Sequence, residues 1–160
     1  MIDAIGQCVN ILAGDEIGHK YVVEHVLEHG KPWERSKLIE QIAGNIAEIT
    51  EKRFSSIIIS ACMVFGSLHD RHTIVNGIIG STDENTPLQT IMLQQFGIDV
   101  IQKVVEECVV AQIDLIMSRI KIHLNALKRN SNENYVIFRN LVQARERKMV
   151  EAAEEALYLL

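Results

Sequence analysis

Two prolines and nine glycines in 160 residues leave too few turn-formers for a fold of many short strands, and that scarcity favours helix. Cysteine is sparse as well. Cys8, Cys62 and Cys108 lie far apart, are odd in number and form no Cys-x-x-Cys pair. That argues against a disulfide framework or a cysteine zinc site and fits a reducing compartment. No basic residue precedes Lys20 and Asp3 stands near the start, so the N-terminus does not read as a signal peptide. The longest apolar stretch, Ile57 to Gly66, is broken by Ser60 and is too short to span a bilayer. These absences predict a soluble cytoplasmic protein. Basic charge is in deficit too: 16 Lys and Arg against 21 Asp and Glu give a formal −5. That argues against a generic polyanion binder without excluding local basic surface. What remains is a chain that is 48% hydrophobic, ample for a packed core.

The apolar residues repeat. Tyr21–Gly30, Ile57–Gly66, Asp99–Cys108 and Tyr135–Ala144 start 36, 42 and 36 residues apart. Each is apolar at its second, third, sixth and seventh positions, for example Val22, Val23, Val26 and Leu27, with Asn140 the exception in the last copy. That spacing draws one stripe down a helix. The register extends further: Ile74 and Ile78 recur as Ile116 and Ile120; Ile46, Leu88 and Leu124 correspond, as do Ile49, Ile91 and Leu127, and Phe54 and Phe96. The six extra residues of the long step therefore fall near Ser81 to Thr86, predicting a polar loop with Thr86 as N-cap and Pro87 in the first turn. Gly30 and Gly66 stand where helices would end, with Pro32 just beyond the first. Each unit is then about three short helices, too thin to bury its own apolar face, so the units must stack. The fold class is all-α, an α-solenoid.

The residues themselves resemble the Pumilio (PUF) family of RNA-binding repeats, in plant-like form. The likeness is carried by Tyr21-Val-Val-Glu-His-Val-Leu-Glu-His-Gly-Lys-Pro-Trp-Glu-Arg-Ser36, Lys52-Arg-Phe-Ser-Ser56, Gly80-Ser-Thr-Asp-Glu-Asn85, Gln94-Gln-Phe-Gly97, Val100-Ile-Gln-Lys103 and Ser118–Lys128. The resemblance implies a right-handed superhelix of three-helix repeats, corresponding to the C-terminal part of the family's eight-repeat crescent. It divides the chain into a partial repeat at 1–14, about three repeats plus a capping unit at 15–145, and a C-terminal helix at 146–160. Val9 and Leu12 take the places of Ile46 and Ile49 only if one residue is inserted near His19, which would distort the first reading helix.

Similarity to the family also implies where RNA would be read. Sequence-specific recognition of single strands needs a flat group stacked on each base and polar groups at its edge. The family puts two edge-readers and an intervening stacker on one helical face. Here those sets are Lys20, Tyr21 and Glu24; Ser56, Ile57 and Ser60; and Ile98, Asp99 and Gln102, with a degenerate fourth at Asn134, Tyr135 and Phe138. In the family, Asn with Gln favours uracil and Ser with Glu favours guanine. None of the three sets keeps a full pair, and Asp99 replaces an aromatic with a carboxylate that repels a phosphate-rich strand. His25, Lys103 and Arg139 are the phosphate-contact candidates. The expected partner is single-stranded mRNA, held weakly, with effects on translation or stability through 3′ untranslated regions. The alternative is a protein-binding scaffold that has lost base reading.

Other chemistry has little support. His25-Val-Leu-Glu28-His29 matches an inverted zinc-protease string. The same helix recurs twice without those residues, however, and no third ligand stands out, so two histidines near a helix end are the simpler reading. The cysteines read as buried small hydrophobes. Ser56 and Ser60 have no base partner, and Gly77, Gly80 and Gly97 do not fit a phosphate loop. No catalytic residue, metal or cofactor is implied. Residues 1–14 offer only Ile2, Ile5, Val9 and Leu12 to cover the first apolar face, which invites self-association or a protein partner there. The tail from Ala144 reads as a helix capping the last one, with Arg145, Arg147 and Lys148 on a solvated face.

Overall fold

The computed structural model describes residues 1–80 and 86–160. The polar loop expected near Ser81 to Thr86, and the Gly80–Asn85 segment of the resemblance, fall largely outside the described residues. Among those described, every regular element is helical. The first unit comprises α1 (Ile2–Gln7), α2 (Val9–Leu12) and a π-helical turn (His19–Glu24) running into α3 (His25–His29). The second comprises α4 (Pro32–Gly44), α5 (Ile46–Thr50) and α6 (Ser55–Phe65). The third comprises α7 (Leu68–Ile79), α8 (Pro87–Leu93) and α9 (Gly97–Glu107). In the last, α10 (Val110–Arg129) is one unbroken helix matching α7 and α8 end to end, and α11 (Asn134–Tyr158) follows.

Like packs on like. α1 packs on α4 and α4 on α7; α2 packs on α5 and α5 on α8; α3 packs on α6, α6 on α9 and α9 on α11. The result is an α-solenoid three helices deep. The predicted stripe supplies its core: Val23, Leu27, Ile58, Ile59, Cys62, Met63, Val100, Ile101 and Val104 are sealed from solvent. At about 25 cal/mol per Å² of apolar surface removed from water, this continuous seam is the main stabilising term.

Polar groups fix the register between units. Phe54 N donates to Ala13 O at 3.2 Å, the Gln94 side chain to Ala47 O at 2.8 Å, and Asn134 Nδ2 to Met92 O at 2.9 Å. The starts of α6 and α11, and the turn between α8 and α9, are thereby tethered to the middle helix of the unit before. Ser67 and Asp70 close a reciprocal N-terminal cap on α7, at 2.9 and 3.1 Å. Arg35 caps the end of α3 by donating to Leu27 O at 2.6 Å and Gly30 O at 3.1 Å.

Several expectations change. Thr86 is the N-cap of α8 by position, but its hydroxyl meets His123 Nε2 at 3.2 Å rather than capping the helix. Gly30 and Gly66 end their helices with extended backbone, at φ −66° and −69°, not left-handed. A Cβ at either position would overlap the carbonyl oxygen of Val26 or Cys62, and that steric limit explains the glycine. In the fourth copy, Val136 and Ile137 are exposed while Phe138 and Val142 are buried. α11 is therefore rotated relative to the other third helices. It also continues unbroken past residue 145, because no Gly or Pro interrupts it, and residues 146–160 are exposed throughout. Past Arg145 the tail is tied back to the array through Glu146, which pairs with Lys121 of α10. Of the three cysteines expected to be buried, only Cys62 is; Cys8, at the C-cap of α1, is exposed and Cys108 is half-buried.

Candidate nucleic-acid interface

The stacking solenoid puts the three implied reading sets on neighbouring helices. Tyr21 on the π-helical turn is 66% exposed and Ile57 on α6 is 44% exposed; Asp99 on α9 is exposed as well. Their neighbours on the helix face behind, Val23, Ile58 and Val100, are buried, so the helices expose these positions as a direct consequence of burying the stripe. Ser56, Ser60 and Glu24 are half-buried, and Lys20 and Gln102 are exposed. Ile98 is half-buried and packs against the core, leaving no polar group at that edge.

A groove of about 290 Å³ crosses all three helices, lined by Glu24, Ile57, Ser60, Ala61, Val64 and Lys103 among others. Its floor is apolar, with one acidic and one basic group at opposite sides. Lys20 Nζ lies 5.6 Å from the Tyr21 ring centre, a cation–π contact that orients both. Lys103 Nζ is 3.6 Å from Glu106, an exposed pair too weak to withhold the ammonium from a ligand. His25, the first residue of α3, is exposed, with its ring 5.0 Å from that of His29. His29 meets Glu28 at 3.7 Å, and among the described residues no three potential metal ligands converge. Arg139 lies over the Tyr135 ring at 5.7 Å.

The fourth set does not form a reading face. Phe138 is fully buried and Asn134 spends its amide on the carbonyls of Met92 and Gln94, at 2.9 and 3.3 Å. The rotation of α11 turns its edge position into core.

The anticipated one-residue insertion near His19 takes the form of the π-helical turn. An extra residue in a helix widens one turn to i→i+5 bonding while the helix on either side stays in register. The same geometry brings His19 to Glu24, five residues on: Nδ1 and Oε2 are 2.8 Å apart. His19 is buried and stacks on Phe54 at 4.0 Å between ring centres, inclined by 15°. The Glu24 carboxylate is thus already engaged. His19 is the residue missed as part of the site, and its i+5 spacing to an acid beside a suspected insertion is the signal that marks it.

The family model for the Pumilio-family RNA binding repeat matches residues 21–43 and 89–121. Pumilio homolog 4 of Arabidopsis thaliana is 41% identical over 151 residues, which is 93% of this chain and 15% of that protein. Pumilio homolog 1 of the same plant is 44% identical over 151 residues, again 93% of this chain, and 16% of its own length is covered. The chain belongs to the Pumilio family. It spans about one-sixth of the length of those two Pumilio relatives. The Pumilio fold is evident independently. The crystal structure of PUF-8 in complex with PBE-RNA superposes with a TM-score of 0.72 at 21% identity, over 88% of this chain and 41% of that one. The Puf3 RNA binding domain bound to a Cox17 RNA 3′ UTR recognition sequence gives 0.68 at 21% identity, over 88% and 44%.

Proposed function

We propose that this Pumilio-family chain binds single-stranded RNA across the third helices of its units, with few bases read and little sequence preference. The observation that carries the reading is the row of outward-facing positions at Tyr21, Ile57 and Asp99 on three consecutive stacked helices. Such arrays meet about one base per repeat. Stacking on an aromatic contributes roughly 1–3 kcal/mol per base, and only Tyr21 offers it here. Ile57 packs less favourably, Asp99 repels the strand, and Glu24 is held by His19. Affinity for RNA by this chain alone is then about micromolar or weaker. In the cytoplasm, the role is post-transcriptional: engagement of mRNA 3′ untranslated regions, with effects on translation or stability, as part of a larger reading surface.

A second reading, a protein-binding scaffold, is favoured by the apolar floor of the groove at Ile57, Ala61 and Val64. One experiment separates the two. Lys20→Asn with Glu24→Gln, Ser60→Glu, and Ile98→Asn with Asp99→Tyr restore the family's three pairs. Fluorescence anisotropy with a short U-G-U-containing RNA should show affinity raised roughly tenfold or more, still falling with added salt. A repaired, folded chain that binds no better sinks base reading and leaves the scaffold.

A further inference from the structure

The groove across the third helices holds an aromatic side chain that none of the reading sets uses. Phe65, the last residue of α6, lines that groove beside Val64 and is 38% exposed. Val64 is exposed as well and stands seven residues after Ile57, two turns along nearly the same line of the helix and about 10 Å away. The apolar floor therefore runs from the reading row to a ring. Other rings of the third helices already have partners: Tyr21 has Lys20, Tyr135 has Arg139, and His25 has His29. Among the described residues, neither a ring nor a cation lies against Phe65.

The rest of the lining decides what fits there. Lys103 brings an ammonium, Ser60 a hydroxyl and Glu24 a carboxylate, and that carboxylate already lies 2.8 Å from His19 Nδ1. At about 290 Å³ the space is at the lower limit of small-molecule sites, about 300–1,000 Å³. It takes one flat ring with a charged group attached, and a partner helix is too wide for it. A ring to stack on with a cation nearby is the combination that holds single-stranded nucleic acid. The groove also opens onto the row of Tyr21 and Ile57, so a strand lying along that row passes its mouth.

We infer that Phe65 is a further stacking residue: one base of the bound RNA leaves the reading row, enters the groove and lies on the Phe65 ring, with its phosphate toward Lys103. This rests on RNA lying along the row, as proposed above. The Ser60 hydroxyl both donates and accepts and turns to suit either, and every base has a face to stack. The position therefore takes any base. It adds affinity without sequence preference, and it gives the apolar floor an occupant other than a protein.

The test uses the 160-residue chain and a short unstructured RNA whose uracils are replaced one at a time by iodouracil, which on irradiation crosslinks to a ring stacked against it. Mass spectrometry of the digested complexes should place crosslinks on both Tyr21 and Phe65, from different positions of the strand. In anisotropy titrations Phe65→Leu, which keeps apolar bulk but no ring, should bind about fivefold or more weakly, to a similar degree for strands of different sequence. Phe65→Tyr should recover what Phe65→Leu loses, and circular dichroism confirms that each variant folds. Crosslinks on Tyr21 without Phe65, or a Phe65→Leu chain that binds as wild type does, would overturn the inference, leave binding at the row intact and return the groove to a protein partner. A wild type that binds no RNA would overturn the row and the groove together.

Discussion

Ile101 and Ile137 occupy the same place in two copies of the repeat, so the sequence pattern assigns them equal weight. The structure separates them: Ile101 is fully buried in α9, whereas Ile137 in α11 is 42% exposed. Ile101→Ala removes three carbons, a transfer loss of about 2.4 kcal/mol at about 0.8 per methylene. The cavity left between stacked helices, which cannot collapse without moving the register, brings the expected cost to about 2–5 kcal/mol. Against a usual total of about 5–15 kcal/mol, that is enough to cripple a short array. Ile137→Ala should cost below about 1 kcal/mol, in keeping with surface positions. Urea unfolding followed by far-ultraviolet circular dichroism measures both. With a slope of about 1–3 kcal/mol/M, Ile101→Ala should move the midpoint by about 1 M or more. A loss under about half a kcal/mol would place Ile101 on the surface, and equal costs at the two sites would refute the rotation of α11.

Two further outcomes follow from exposure. Burial of the Cys62 thiol raises its pKa steeply, and burial with Glu107 nearby, against the opposing pull of Arg71, leaves Cys108 raised to about 11. At mildly alkaline pH a thiol reagent should therefore label Cys8 rapidly, Cys108 slowly and Cys62 only on unfolding; mass spectrometry after timed quenching reads the order, and fast labelling of Cys62 would refute its burial. The first unit exposes Met1, Ile11 and Ile17, so Ile11→Glu should reduce self-association of the chain at high concentration, measured by light scattering, with no change refuting a contact at this face.

Much of the fold was legible because a solenoid converts spacing directly into contact. Residues 36 or 42 positions apart occupy equivalent places in adjacent units, so Ile58 and Val100, or Ile78 and Ile120, had to be core together. The same counting exposed the extra residue near His19, because a stripe that resumes one position late needs a wider turn to absorb it. Counting failed where a helix has a neighbour on one side only. Among the described residues, α11 has α8, α9 and α10 on one side and no helix on the other, so no second wall holds its stripe in the repeat's orientation, and the large ring of Phe138 turns inward in preference to Val136 and Ile137. Asn140 on the expected stripe was the visible warning.

Equivalent placement carries over to side chains only while their surroundings are equivalent, and at the site they are not. Lys20, Tyr21 and Glu24 sit where Ser56, Ile57 and Ser60 sit one unit later, yet Glu24 alone is held, at 2.8 Å, against the ring nitrogen of a histidine, His19. That contact joins residues five apart, a separation at which an α-helix places side chains on diverging faces. Only the widened turn brings them together, so the insertion that looked like a local distortion also decides the state of an edge-reading position. Phe54 then fixes the histidine by stacking on it from the next unit. The first set is thus a joint product of two units. Repair by Lys20→Asn and Glu24→Gln must contend with a neutral amide facing His19, which makes that pair the most demanding of the three to restore and the Ser60→Glu change the least.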